Sequence, residues 1–177
     1  MGLFFSNTDF TPENTNIDPT PGVPFDAFIV VMGLGEANTP EGVGAYEVGI
    51  TISDATVFVL GASGPNGWTN FGSSTNHIAS YATPVIADGN GVAIVGQLQM
   101  LYSGTDLVEI SLGASTPSSV DGAGPAITDS SDPEIIIQTG YTTGDGSEAT
   151  RIVATMNGAG VTATEARSLS NVKALFD

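Results

Sequence analysis

The chain has 177 residues, of which 41% are hydrophobic and 12% charged, so it can bury one core and is not a disordered polyampholyte. No apolar run approaches the roughly 18 residues of a membrane-spanning helix, so we expect no membrane insertion. All three Lys and Arg residues follow residue 150, whereas only two of the 19 Asp and Glu residues do, and this acidic body argues against nucleic acid as a partner.

The first 24 residues are predicted to form an arm. Leu3, Phe4 and Phe5 make a short β-prone tip. The stretch from Thr11 to Pro24 carries four prolines and is predicted to be extended and unpaired. Such a tether reaches on the order of 60 Å. The tip can therefore fold back as an edge strand, or it can add to the edge of a neighbouring copy and build a filament or tube.

Residues 25–158 are predicted to form an all-β domain. Short apolar or alternating runs are separated by turn residues, among them Asp88-Gly-Asn-Gly91. Gly61–Ser80 is predicted to be the longest region without a strand. With the tip, about eight or nine strands indicate a single jelly-roll-type β-sandwich. The predicted strands are Phe25–Met32, Tyr46–Ile52, Thr56–Leu60, Ile78–Ala87 with a break at Pro84, Val92–Tyr102, Leu107–Leu112, Ile135–Ile137 and Ile152–Met156.

Residues 159–177 are predicted to form a short amphipathic C-terminal helix. Thr162 and Glu165 have the spacing of a capping box. The apolar residues that follow are spaced by three and four positions and share one face, namely Leu169, Val172, Leu175 and Phe176.

The composition favours an extracellular or cell-surface protein. Lysine is scarce, while Thr, Ser, Gly and Asn are abundant. The absence of cysteine carries no redox signal. No signal peptide is visible at the start of the chain, and we expect that a leader has been removed.

Part of the body resembles cohesin-like modules. The resemblance lies in the Gly-led turn and alternating strand of Asp88–Met100, in the short strand Leu107–Gly113, and in the paired strands of Tyr46–Leu60. It implies a nine-stranded jelly-roll-type sandwich with a surface that binds protein or carbohydrate, as carbohydrate-binding modules also do.

We find no catalytic constellation and predict that the chain is not an enzyme. His77 is the only histidine, no Gly-x-Ser-x-Gly elbow is present, and we interpret His77 as an ordinary polar surface residue. Most acids fall in turns, where solvation explains them, and the strand residues Glu47 and Glu109 are expected on the face opposite most apolar residues, so we do not interpret them as a hydrolytic pair.

Calcium is the best-motivated ion for this acidic chain. Asp129, Asp132 and Glu134 place three carboxylates within six residues on a bend, and loop oxygens at that spacing can bind a hard cation. A solvated acidic turn is the alternative. Weaker candidates are the pairs Asp145 with Glu148 and Asp88 with Asn90.

A second candidate ligand is a sugar. Trp68, with Asn66, Asn70 and Tyr81, is predicted to offer an aromatic face and amides to a glycan. The alternative is a tryptophan that covers the end of the sandwich core.

The sequence therefore favours an extracellular structural module that self-associates into an oligomer or polymer through its arm. Divalent cations would neutralise the acidic contacts. The alternative is a cohesin-like or carbohydrate-binding adhesion module whose loop around Trp68 meets a glycan or another surface protein.

Overall fold

A computed structural model describes residues 1–122, 124–144 and 151–158. Within these ranges the only helical element is a 3₁₀ turn at Pro12–Thr15, and no helix is long and apolar enough to cross a membrane. The predicted C-terminal helix lies outside the described residues. The described strands are β1 Gly2–Phe4, β2 Asn16–Ile17, β3 Phe25–Met32, β4 Gly42–Ile52, β5 Phe58–Ser63, β6 Thr69–Asn70, β7 Asn76–Ile86, β8 Val92–Leu101, β9 Val108–Gly113, β10 Ala126–Asp129, β11 Ile136–Gln138 and β12 Ile152–Met156.

The strands form two sheets. The smaller sheet has the order β1-β3-β8-β5 and is antiparallel throughout. In the larger sheet the long strand β4 pairs with β7 on one side, and with β10 and then β9 on the other. Strands β11, β12, β2 and β6 extend this sheet outward.

The core lies between the two sheets. Alternate residues of the central strands point inward and are fully buried, as Ile29 on β3, Val48 on β4 and Leu98 on β8 illustrate. The predicted all-β sandwich is confirmed. Its strands number more than the eight or nine expected, because three short ones, β2, β6 and β10, had no recognisable apolar run.

Local signals located some elements correctly and missed others. The apolar run Phe25–Met32 coincides with β3. Asp88 makes the predicted turn, because its carboxylate accepts hydrogen bonds from the N–H groups of Asn90 and Val92. The prediction of a strand-free Gly61–Ser80 is wrong. The end of β5, all of β6 and the start of β7 fall within it. These segments, which are rich in polar and small residues, pair with β8, β7 and β4 respectively.

The N-terminal segment lies against the domain to which it belongs. Strand β1 pairs with β3, Leu3 points into the core, and the Phe4 ring is also fully buried and packs edge-on against Phe10. Phe5 is half-buried, with its ring 6.0 Å from that of Phe25. Of the two alternatives for the tip, the structure describes folding back.

The prediction that the proline-rich tether is unpaired is wrong. Pro12 begins the 3₁₀ turn, as a residue without a backbone N–H can at a helix start. Strand β2 then runs parallel to β12. The Gly22 N–H donates to the Tyr102 carbonyl oxygen, 3.1 Å away. The tether is thus bound to the sandwich at several points.

Candidate binding groove

The outer face of the larger sheet carries a groove with a floor of small residues. Ala45 on β4 is paired with Thr128 on β10 and with Ser80 on β7. In the adjacent row, Ala126 on β10 is paired with Glu47 on β4. Directly paired residues share a face of the sheet, so these short side chains form one shallow floor.

Large apolar side chains flank this floor. Ile78 lies on β7, Phe71 follows β6, and Ile136 begins β11 at the sheet edge. Phe71 is 73% exposed and Ile136 is 43% exposed. The groove encloses about 150 Å³ and is predominantly apolar. An exposed aromatic and an exposed isoleucine beside a small-residue floor are typical of a surface that receives a partner's side chains.

Glu47 lies at one end of the groove, on the face opposite the core as expected from the sequence, and it is nevertheless buried. Only 5% of it is exposed. Its Oε1 accepts a hydrogen bond from the Ser118 hydroxyl at 3.0 Å, and the Ser119 N–H contacts Oε1 at 2.9 Å and Oε2 at 3.1 Å. The loop after β9 therefore covers the carboxylate and fixes its position. Glu109, by contrast, is exposed.

Beneath the groove, a buried polar network occupies the inner face of the sheet. The Tyr46 hydroxyl is 2.7 Å from His77 Nδ1 and accepts a hydrogen bond from the Trp68 indole N–H at 3.2 Å. His77 Nε2 is 3.1 Å from the Ser74 carbonyl oxygen. The pattern is satisfied when Nε2 carries the proton and Nδ1 accepts from the tyrosine. A Cβ at residue 96 would come within 2.5 Å of the Tyr46 hydroxyl, so glycine is needed there.

The interpretation of His77 as a surface residue is wrong, because it points inward from β7 and has no exposed surface. Burial lowers its pKa below the ordinary 6.5, despite the hydrogen bond from Nε2 to the Ser74 carbonyl, which favours the charged form. With both ring nitrogens occupied and no access to solvent, His77 is not placed to act as a base on a substrate.

We expect the stability of the protein to fall as the pH decreases from about 7 to about 5. In that window an unfolded His77 takes up a proton that the folded one resists, so the free energy of unfolding drops by up to about 1.4 kcal/mol per pH unit. Urea unfolding at several pH values measures the slope. The buried Met1 amine, whose pKa burial lowers to about 5, adds a slope of the same sign to both proteins. The His77→Gln variant should therefore show a smaller slope than the wild type, and an equal slope in both proteins would contradict the assignment.

The predicted sugar-binding residues have their polar groups directed into the protein. Trp68 is half-buried, and its N–H donates to Tyr46. The side-chain amides of Asn66 and Asn70 donate to backbone carbonyls, and the Tyr81 hydroxyl donates to the Val95 carbonyl oxygen. Burial raises the pKa of Tyr81. Sugar binding stays a prediction, and this arrangement favours the alternative in which Trp68 covers the core.

The predicted calcium residues lie along one bend. Asp129 accepts hydrogen bonds from the N–H and hydroxyl of Ser131, which hold its pKa below the ordinary value, and Asp132 accepts from the N–H of Glu134. In the part of the chain that is described, no three metal-ligating side chains converge. Asp145 and Glu148 fall outside it. Calcium binding stays a prediction.

Searches of protein-family models and of curated protein sequences give no match. Among solved structures, the chain is similar to the sixth cohesin of scaffoldin B from Acetivibrio cellulolyticus, solved in complex with a Cel5 dockerin mutant. The two are 11% identical, with a TM-score of 0.52 over 80% of this chain and 93% of the cohesin. The fold is cohesin-like. A type II cohesin from the cellulosome of the same organism is 15% identical, with a TM-score of 0.40 over 72% of this chain and 85% of that one.

The similarity to the scaffoldin B cohesin confirms the cohesin-like fold that was predicted from the turn at Asp88 and the strands around it. The N-terminal strand β1 pairs with β3 and is therefore part of the sandwich. Sequence reasoning missed the groove because its residues come from six separate strands and loops.

Proposed function

We propose that this chain is a non-enzymatic assembly module that acts outside the cell and binds a segment of a partner protein in the groove of its larger sheet. The observation that carries the proposal is the groove itself. Exposed Phe71 and Ile136 stand on either side of a floor built from residues no larger than threonine. A peptide segment can place apolar side chains on such a floor with little rearrangement.

Two further features support a binding role. The cohesin that this fold resembles was solved with a protein partner bound, which makes protein binding the natural first hypothesis for a similar sandwich. The groove is also shallow and held by paired strands, so its shape is preformed. Preformed sites bind with a smaller loss of conformational entropy.

Filling the groove tests the proposal. A displayed library of random 15-residue peptides is selected on the wild-type protein, and the enriched peptides are measured on Ser80→Trp, whose indole would occupy the floor. We expect the affinity to fall at least about tenfold. Gln99→Trp, at an exposed position on the smaller sheet, is the control and should bind as the wild type does.

Peptides that bind Ser80→Trp as tightly as the wild type would contradict docking in the groove. Thermal unfolding of both variants verifies that the sandwich is intact. A selection that enriches no peptide on the wild type would also count against the proposal.

Self-association through the arm is a second candidate, favoured by the form of β1. This strand has three residues, lies at a sheet edge, and is joined to β3 by about twenty residues. Its contacts with β3 would be reproduced if β1 of one copy replaced β1 of the next. Electron microscopy of the purified chain, with and without calcium, tests this: filaments would support exchange, and uniform monomers at high concentration would contradict it.

A further inference from the structure

We propose that the groove selects partner segments in which a lysine or arginine stands next to an apolar residue, and that Glu47 binds the cationic group. This inference rests on the proposed docking function and specifies the chemistry of the partner. It is carried by the placement of a buried carboxylate at the end of an apolar groove.

The carboxylate of Glu47 is held in place by hydrogen bonds, but no cationic side chain in the described part of the chain contacts it. Its hydrogen bonds come from a serine hydroxyl and a backbone N–H, both of which are neutral donors. A carboxylate offers about four acceptor sites, and Oε2 receives only the longer contact of 3.1 Å from Ser119. Arg151, the only Lys or Arg among the described residues, lines a different depression beside Thr51 and Asn76.

A buried carboxylate without a counter-charge is costly, and a cation that reaches it from a partner gains a strong, partly desolvated interaction. The charged side chains of residues 1–150 are all acidic, since this stretch contains no Lys or Arg. The field of the whole molecule therefore attracts basic segments and repels acidic ones before contact is made.

The apolar wall of the groove next to Glu47 also fits a lysine or arginine side chain. Lysine and arginine bury an aliphatic stem while the charged end seeks an anion. Ile78 is paired with Glu47 across β7 and β4, so an aliphatic surface lies directly beside the carboxylate. A neighbouring apolar residue of the partner would then reach the small floor at Ala45 and Ser80.

The test uses the full chain in three forms: wild type, Glu47→Gln and Glu109→Gln. Glu47→Gln keeps the shape and the oxygen that accepts from Ser119 but removes the charge. Glu109→Gln removes one negative charge from an exposed position on the same sheet and controls for net charge. The probe is the displayed library of random 15-residue peptides.

We expect peptides selected on the wild type and on Glu109→Gln to be enriched in lysine or arginine next to an apolar residue, and those selected on Glu47→Gln to lose the enrichment. The tightest wild-type peptide should bind Glu47→Gln at least about tenfold more weakly. Replacing its basic residue with norleucine should weaken binding to the wild type by a similar factor. This last measurement needs no protein variant, so it remains decisive if Glu47→Gln unfolds.

Groove-binding peptides without a basic preference, or an equal loss on both glutamine variants, would overturn this inference while leaving the proposed function intact. Peptides that bind Ser80→Trp unchanged would overturn both.

Discussion

Tyr46→Phe is expected to lower the free energy of unfolding by about 2–4 kcal/mol. The substitution removes one oxygen, yet it takes the partner from two groups: the buried His77 Nδ1 and the indole N–H of the half-buried Trp68. Each unsatisfied buried group costs about 1–3 kcal/mol. Burial also raises the pKa of the Tyr46 hydroxyl, so it stays neutral over the whole range in which the protein would be studied.

Equilibrium unfolding in urea measures this loss. Tyr81→Phe is the matched control, because it removes a buried tyrosine hydroxyl that bonds a single carbonyl, that of Val95. We expect about 1 kcal/mol for the control. Equal losses in the two variants would mean that the network around Tyr46 acts as independent pairs and that its two partners find other hydrogen bonds.

Leu3→Ala is expected to lower the free energy of unfolding by about 2–5 kcal/mol, the range for truncation of a buried leucine. Leu3 has no exposed surface and belongs to the same core cluster as Ile29, with which it is paired across β1 and β3. Leu60→Ala, at a side chain that is 51% exposed on the opposite edge strand, should change stability by less than about 0.5 kcal/mol.

The concentration dependence of that stability separates the two roles of the arm. When β1 fills a site in its own domain, the melting temperature of the wild type is independent of protein concentration. If β1 fills the site of a neighbour, the melting temperature rises with concentration. A negligible effect of Leu3→Ala would show that the tip is not part of the core at all.

Much of the sandwich could be predicted because its central strands carry their own signals. Phe25–Met32 is apolar enough to be buried wherever it pairs, and Val92–Leu101 alternates with the period of a strand. These patterns are local, and the burial they imply does not depend on which strand lies beside them.

The groove and the network could not be predicted in the same way, because they depend on long-range pairing. Glu47 is buried by a loop about seventy residues further along the chain, and β10 is recognisable only by its pairing with β4. His77 was misassigned because the four residues before it, 73–76, are all polar, while its own side chain points inward beside Tyr46. The one available signal was the glutamate of β4, which faces outward from a strand with small neighbours on the same face.

The location of a bound partner tests the account most directly. We would titrate a protein labelled at alanine and isoleucine methyl groups with the tightest library-selected peptide and follow the methyl NMR spectrum. The account predicts shifts for Ala45, Ile78, Ala126 and Ile136, which line the groove, and none for Ala62 on the smaller sheet. Shifts confined to the smaller sheet, with the four groove methyl signals unchanged, would contradict it.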